Sequence, residues 1–296
     1  MSADSSLAIR ITAILFPIFA IVAAGFFYGR RHRPEMAVAN RLNMDVFVPA
    51  LVFAAMAGKA FELTAFGPLA LGALLLLLGC GLVAWPVARL LGVPAKTFVP
   101  PMLFNNSGNI GLPLAVLAWG EAALPAAVIL FMVENTLHFS LGARLLDPRA
   151  RFLSLWRVPV VAAAMAGLVV AVGKIPLWSP ALMAVKMLGD VSVPLLLFSL
   201  GVRMTDVSLG DWKISLVGAL GRPLLGMAIA WGLVLALGLQ GQQAAMLIVF
   251  GALPPAVLNF LFAERYQQEP QRVASIVLVG NLAALLFLPL ALALVL

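Results

Sequence analysis

Apolar runs of about twenty residues follow one another almost without pause along this chain, and about twenty is the length a helix needs to cross roughly 30 Å of hydrocarbon. Of the 296 residues, 63% are hydrophobic and only 10% are charged, against roughly 45–50% and about 25% in a soluble globular domain. Too few polar side chains remain to cover a water-facing surface, so lipid is the expected solvent and no soluble domain is expected. With short loops allowed for, the length holds about ten spans. The expected fold is an all-α integral membrane protein of ten transmembrane helices. The first five expected spans are Leu7–Tyr28, Val38–Ala57, Gly67–Leu91, Lys96–Trp119 and Leu124–Leu145. The second five are Val158–Gly173, Ala181–Met204, Lys213–Leu239, Ala244–Phe262 and Val273–Leu296.

The net charge of +7 could suggest a nucleic-acid partner, but the basic residues sit singly or in short clusters between apolar runs. Basic cytoplasmic loops explain them instead. With the N-terminus outside, fifteen of the 19 Lys and Arg fall on the inner side, among them Arg30, Arg31, Arg33, Arg203, Lys213 and Arg222. Only Arg10, Lys59, Lys174 and Lys186 fall outside. Both termini are therefore expected outside the cytoplasmic membrane. The first run is too long for a signal-peptide core, and its strong positive flank follows it rather than precedes it. Cys80, the single cysteine, lies in an apolar run and has no disulfide partner.

An internal repeat comes next. Asp45-Val46-Phe47-Val48-Pro49-Ala50-Leu51-Val52-Phe53 recurs as Asp190-Val191-Ser192-Val193-Pro194-Leu195-Leu196-Leu197-Phe198, with Asp, Val, Val, Pro, Leu and Phe in register. Pro100-Pro101 with Asn105 is echoed by Pro254-Pro255 with Asn259, in the fourth span of each half, and Asn135 by Asn281 in the fifth. The chain divides into repeat 1, residues 1–148, and repeat 2, residues 149–296. Five spans per repeat invert the second copy in the membrane, a common architecture of secondary transporters.

The fourth span contains Pro100, Pro101, Asn105, Asn106, Ser107, Gly108, Asn109, Gly111 and Pro113. Proline removes a backbone donor and glycine weakens a helix, so a break is expected here and at Pro254-Pro255. Broken half-helices free amide and carbonyl ends that can hold an ion, and irregular backbone at membrane depth belongs beside a cavity. The bland alternative is a pair of proline kinks without a ligand. The substrate-binding candidates are Asn105, Asn106, Ser107, Gly108, Asn109, Pro254, Pro255 and Asn259; the structural breaks are placed at Pro100, Pro101, Gly111, Pro113, Pro254 and Pro255.

Ionisable groups in the apolar runs are few, and each is a functional candidate by default. Glu134 and His138 are four apart on one helix face with Asn135 beside them. They are either a packing pair or a proton-coupling or substrate-lining pair, since histidine titrates near physiological pH. Asp45 and Asp190 sit near span ends, and Arg222 could pair with Asp190 or Asp206 or meet an anionic substrate. The coupling candidates are Glu134, His138, Asn135, Asp190 and Asn281. No metal-ligand motif, cofactor motif or catalytic motif is present; Ser107-Gly108 alone does not make a serine nucleophile site. Neither an enzyme nor a nucleotide-driven pump is expected.

At these motifs the sequence resembles the auxin efflux carrier family in its short bacterial form. The matching stretches are Asn106-Ser107-Gly108-Asn109-Ile110-Gly111-Leu112-Pro113-Leu114, Met187-Leu188-Gly189-Asp190, Phe198-Ser199-Leu200-Gly201, Pro254 through Asn259, Phe262-Ala263-Glu264 and Tyr266. The resemblance implies a scaffold of spans 1, 2, 6 and 7 and a transport domain of spans 3–5 and 8–10, in which the broken fourth and ninth helices cross at the substrate site. It also implies an elevator-type motion, organic-anion substrates (auxin in plants, dicarboxylates such as malate or malonate in bacteria) and a homodimer through the scaffold. Plant carriers carry a lysine where this chain has Asp45, which argues against auxin-like selectivity. The expected function is secondary transport of a small organic anion, outward, with a proton or sodium as the coupling ion. Alternatives are a sodium- or proton-coupled importer of a larger organic acid, as in the bile-acid symporter fold, and a passive channel or non-transporting subunit. No dense acidic cluster marks a sodium site.

Overall fold

The computed structural model describes residues 3–57, 66–148, 159–205 and 211–296, and every regular element among them is helical. The helices are α1 (Ala3–His32), α2 (Ala37–Met56), α3 (Gly67–Leu90), α4 (Ala95–Leu103), α5 (Ser107–Trp119) and α6 (Glu121–Leu146). They continue with α7 (Pro159–Val172), α8 (Ser179–Arg203), α9 (Trp212–Leu237), α10 (Gly241–Ala252), α11 (Leu258–Arg265) and α12 (Pro270–Val295). Seven of these, α1, α2, α3, α6, α8, α9 and α12, are long and apolar enough to cross a membrane, and α5, α7 and α10 are shorter apolar helices. Large apolar side chains such as Phe16, Phe27, Leu82, Trp178 and Leu235 stand exposed on the outside. A helix apolar on all sides requires either a large core or lipid around it, and an exterior of this kind supplies the second. The protein is a multi-pass helical membrane protein.

Helices pack in two sets. α1 runs along the C-terminal half of α8, while α2 lies against α7 and the N-terminal half of α8. The α1–α8 contact depends on Gly25, which faces the Phe198 carbonyl, and Gly201, which faces the Val22 carbonyl; a methyl group at either would overlap backbone. Small residues of this kind let helices approach where lipid gives no hydrophobic drive. In the second set α9 packs on α3, α10 and α12, α3 on α4 and α6, and α12 on α10 and α11. Leu69, Leu76, Leu77, Phe98, Leu247 and Leu288 fill its interior and are fully buried.

Three helices carry a π turn, with the i→i−5 bond that defines it: Val48 to Asn43 in α2, Leu112 to Ser107 in α5 and Ala143 to His138 in α6. The first two precede a proline, Pro49 and Pro113, and the wider turn takes up the ring without ending the helix. Gly111 and Pro113 are consequently not break points: α5 is helical from Ser107 to Trp119. Pro100 and Pro101 also lie inside a helix, α4, which ends after Leu103. Of the six positions where sequence placed breaks, only Pro254 and Pro255 stand in non-helical chain.

Candidate functional site

The two interruptions lie against each other. Phe104 leaves α4 in an extended conformation (φ −97°, ψ 119°), and Leu253 leaves α10 in another (φ −60°, ψ 141°). Asn105 and Pro255 form an antiparallel bridge, closed by Asn106 N–H donating to the Pro254 carbonyl at 2.7 Å and Ala256 N–H to the Phe104 carbonyl at 3.0 Å. Backbone polar groups in hydrocarbon must find protein partners. Here each break satisfies the other, and two prolines subtract donors that would otherwise need partners.

The asparagines complete that satisfaction. Asn105 Nδ2 donates to the Phe250 carbonyl at 2.7 Å, at the C-terminus of α10. Asn259 Nδ2 donates to the carbonyls of Phe104 and Ala256, at 3.1 and 3.0 Å. Asn106 Nδ2 reaches Asn281 Oδ1 at 2.9 Å, and Asn281 Nδ2 serves the carbonyls of Pro255 and Val277. Each amide contacting a carbonyl must present its NH₂ there, because the flipped amide would set oxygen against oxygen. The side-chain oxygens of Asn105 and Asn259 are left buried without a partner. Asn259 thus has both amide hydrogens engaged, whereas Asn105 Nδ2 has one of its two engaged.

Beside the first break, Glu134 and His138 are both almost fully buried. His138 Nδ1 lies 3.0 Å from Glu134 Oε1, and Ser107 Oγ donates to Oε2 at 3.2 Å. The imidazole stacks flat on Phe104, with centroids 4.0 Å apart and planes at 9°. Phe104 is the break residue whose carbonyl accepts from Ala256, and Ser107 opens α5. The acid–histidine pair is thus in direct contact with the break. Asn135, next to it, donates to the Phe131 carbonyl.

Arg222 lies mid-way along α9 and is 0% exposed. Of the two proposed aspartates, Asp190 is exposed on α8, and Asp206 lies outside the described residues. Arg222 Nη1 donates to the Gly251 carbonyl at 2.9 Å, leaving Nε and Nη2 unpartnered. A cation on helix C-terminal carbonyls is electrostatically favoured.

Two neighbouring cavities, which share Asn40, Leu200, Arg203, Val257 and Leu261 in their linings, border the breaks. The inner one, about 150 Å³, is lined by Asn105, Asn106, Gly108, Asn109, Glu134 and Asn135 on one wall. The wider vestibule, about 620 Å³, is lined by Pro34, Met36, Val257, Glu264, Gln271 and Asn281 among others. Ser107, Pro254, Pro255 and Asn259 line neither, and nor does Asp190. The opposite wall of the inner cavity holds Asn40, Asn43, Ser199 and Arg203, from α2 and α8, which the sequence reading missed as site residues. Polar residues at i, i+3 (Asn40, Asn43) and i, i+4 (Ser199, Arg203) in apolar runs were the available signal. Both side-chain atoms of Asn43 and the Ser199 hydroxyl are buried and unpartnered.

Comparison with known proteins agrees with this geometry. A family model for membrane transport protein matches residues 150–292. Auxin efflux carrier component 2 of Oryza sativa subsp. japonica is 32% identical over 106 residues, which is 34% of this chain and 17% of the relative. Auxin efflux carrier component 1 of Arabidopsis thaliana is 30% identical over 112 residues, 36% and 18% of the two chains. The chain thus spans less than a fifth of the length of either plant relative. The uncharacterized transporter YfdV of Escherichia coli (strain K12) is 23% identical over 290 residues, covering 85% of this chain and 87% of the relative. Over residues 150–292 the chain is thus similar to membrane transport proteins, and over about a third of its length to plant auxin efflux carriers.

Proposed function

We propose that this protein is a secondary transporter that carries a small organic anion across the cytoplasmic membrane by elevator-type alternating access. Ten spans in two inverted repeats form the carrier, the fourth being α4 with α5 and the ninth α10 with α11. The set α1, α2, α7 and α8 serves as scaffold, and α3–α6 with α9–α12 moves against it. The observation that carries this reading is the bridge between the two breaks, set beside a polar cavity whose other wall belongs to α2 and α8. A site between two separately packed sets can be exposed to either side by sliding one past the other. Arg203 and the N-terminal ends of α5 and α11 give the cavity a positive potential suited to an anion.

Both termini face outward in this reading. Supporting it, residues assigned to one side meet one another: Lys186 pairs with Glu121 at 2.7 Å on the outer side, and Arg272 pairs with Glu269 and Asp211 on the inner side. The vestibule, rimmed by Pro34 and Met36 after the basic end of α1, then opens to the cytoplasm and loads substrate for export. Glu134 and His138 make a proton the favoured coupling ion. The outward faces of α7 and α8, with Met165, Val169, Met183 and Met187 exposed, offer a second copy a scaffold-to-scaffold contact.

The test is counterflow in proteoliposomes. Unlabelled organic acid trapped inside should accelerate uptake of the labelled acid, because a carrier returns faster when loaded. A flux that never saturates and ignores the trapped acid would identify a channel and end the proposal.

A further inference from the structure

We propose that the end of α1, where it meets the end of α8, is a seat for the phosphodiester headgroup of an anionic membrane phospholipid. The proposal goes beyond the transport reading and stands apart from it. A concavity of about 730 Å³ lies between the two helix ends, lined by Phe26, Gly29, Arg30 and Arg33 from the first and by Met204 and Thr205 from the second. That is within the roughly 300–1,000 Å³ of ligand sites. Gly29 lets α8 approach this closely, since a Cβ there would lie 3.1 Å from Val202 Cα. Both guanidinium groups are exposed, and among the described residues neither is in an ion pair. Arg33 is fixed at the helix end by its own N–H, which donates to the Gly29 carbonyl at 2.9 Å.

Basic residues at a span end are common enough; what sets this end apart is where the charges stand. The carbonyl ends of α1 and α8 each oppose an anion with about half a negative charge. Arg30, Arg31 and Arg33 against Glu35 leave two full positive charges in the segment, so the sum still favours an anion. A guanidinium offers a planar pair of donors that matches two phosphate oxygens. The surface leading to the concavity commits that phosphate to a lipid. Phe16, Ala23, Phe27 and Arg30 follow one another at intervals of seven, four and three along α1, which places them on one face. Phe16 is 68% and Phe27 69% exposed, and Ala23 is exposed between them. Because α1 is long and apolar enough to cross the membrane, this stripe meets hydrocarbon, and an acyl chain lying along it brings its phosphate to Arg30. Tyr28 and His32, with ring centroids 4.5 Å apart, stand at the level where amphipathic rings settle among headgroups. Basic pockets between membrane helices take anionic headgroups, and one that touches both helix ends here stabilises their contact by mass action.

The experiment follows the melting temperature of the detergent-purified full chain as phosphatidylglycerol or phosphatidylcholine with identical acyl chains is added. Phosphatidylglycerol should raise it at a concentration about tenfold lower than phosphatidylcholine requires. Arg30→Gln and Arg33→Gln should each increase the phosphatidylglycerol requirement about fivefold. Both side chains are exposed, so the lipid-free melting temperature should stay as it was. Arg89→Gln removes an exposed charge from the last turn of α3 and should leave the requirement unchanged. Glycerol 1-phosphate, which has the phosphate without acyl chains, should not stabilise the protein. Equal action of the two lipids, or an unchanged requirement in Arg30→Gln and Arg33→Gln, would overturn the proposal. An equal loss in Arg89→Gln would overturn it too, because overall surface charge would then suffice. Stabilisation by glycerol 1-phosphate to the same extent as by the lipid would also overturn it, with a soluble phosphate as the ligand instead.

Discussion

Among the polar side chains buried here, a division of labour follows from which atoms are already spoken for. Asn106, Asn259 and Asn281 spend their amides on the carbonyls and on one another at the breaks, so they hold backbone that would otherwise be stranded in hydrocarbon. Glu134 and His138 are the pair proposed above to couple a proton at the same place. Protonation would alter what Ser107 and the Phe104 ring contact, and through them the start of α5 and the end of α4. Transport by the parent in proteoliposomes is expected to vary with pH, and Glu134→Gln and His138→Gln are expected to flatten that profile. A pair that only packs would lower the melting temperature in both variants and leave the pH profile as it was; that result would return the two residues to architecture.

Helix elements explain why similar double prolines have different consequences. Pro100 and Pro101 lie within α4, where a proline ring crowds the carbonyl four residues back and removes one helical bond. Pro255 stands in the bridge itself, where the ladder bonds fall on its neighbours Pro254 and Ala256. Its nitrogen needs no partner, and its ring packs over Gly280 of α12. Two substitutions separate the roles. Pro100→Ala should leave stability unchanged or raise it, since a helical N–H regains its acceptor. Pro255→Ala introduces a buried N–H with no acceptor and should cost about 1–3 kcal/mol, read as a lower melting temperature of the purified protein. Equal effects would mean that the bridge is not the constrained point.

At the scale of the whole molecule, the α1–α2–α7–α8 set and the remaining helices meet across the inner cavity and vestibule. That division is the proposed sliding surface, and its sidedness can be measured. In a Cys80→Ala background, Met36→Cys and Gln271→Cys at the vestibule should react with a membrane-impermeant maleimide in inside-out vesicles and stay protected in right-side-out cells. Glu121→Cys, at the end assigned outside, should show the reverse. The opposite pattern would invert the orientation derived from the basic loops and, with it, the direction in which the vestibule loads.

Much of this was legible along the chain, because membrane helices are specified locally: the length and apolarity of a run decide whether it crosses, and no distant partner is needed. The matched motifs at Asp45 and Asp190 and the double prolines likewise marked where helices depart from regularity, since proline acts on its own turn. What proline does not reveal is where the departure is resolved. Pro113 is absorbed by a π turn and Pro100 by α4, while the break falls at Phe104, whose carbonyl meets Ala256 about 150 residues further along the chain. Partnerships of that kind exist only once both halves are folded together. The same holds for the cavity lining: Asn43 and Ser199 read as isolated polar residues in apolar helices, and tertiary packing alone sets them around one cavity with Asn105. Composition fixes that such groups are costly in lipid; only the packed structure decides which are repaid by backbone and which are left for a ligand.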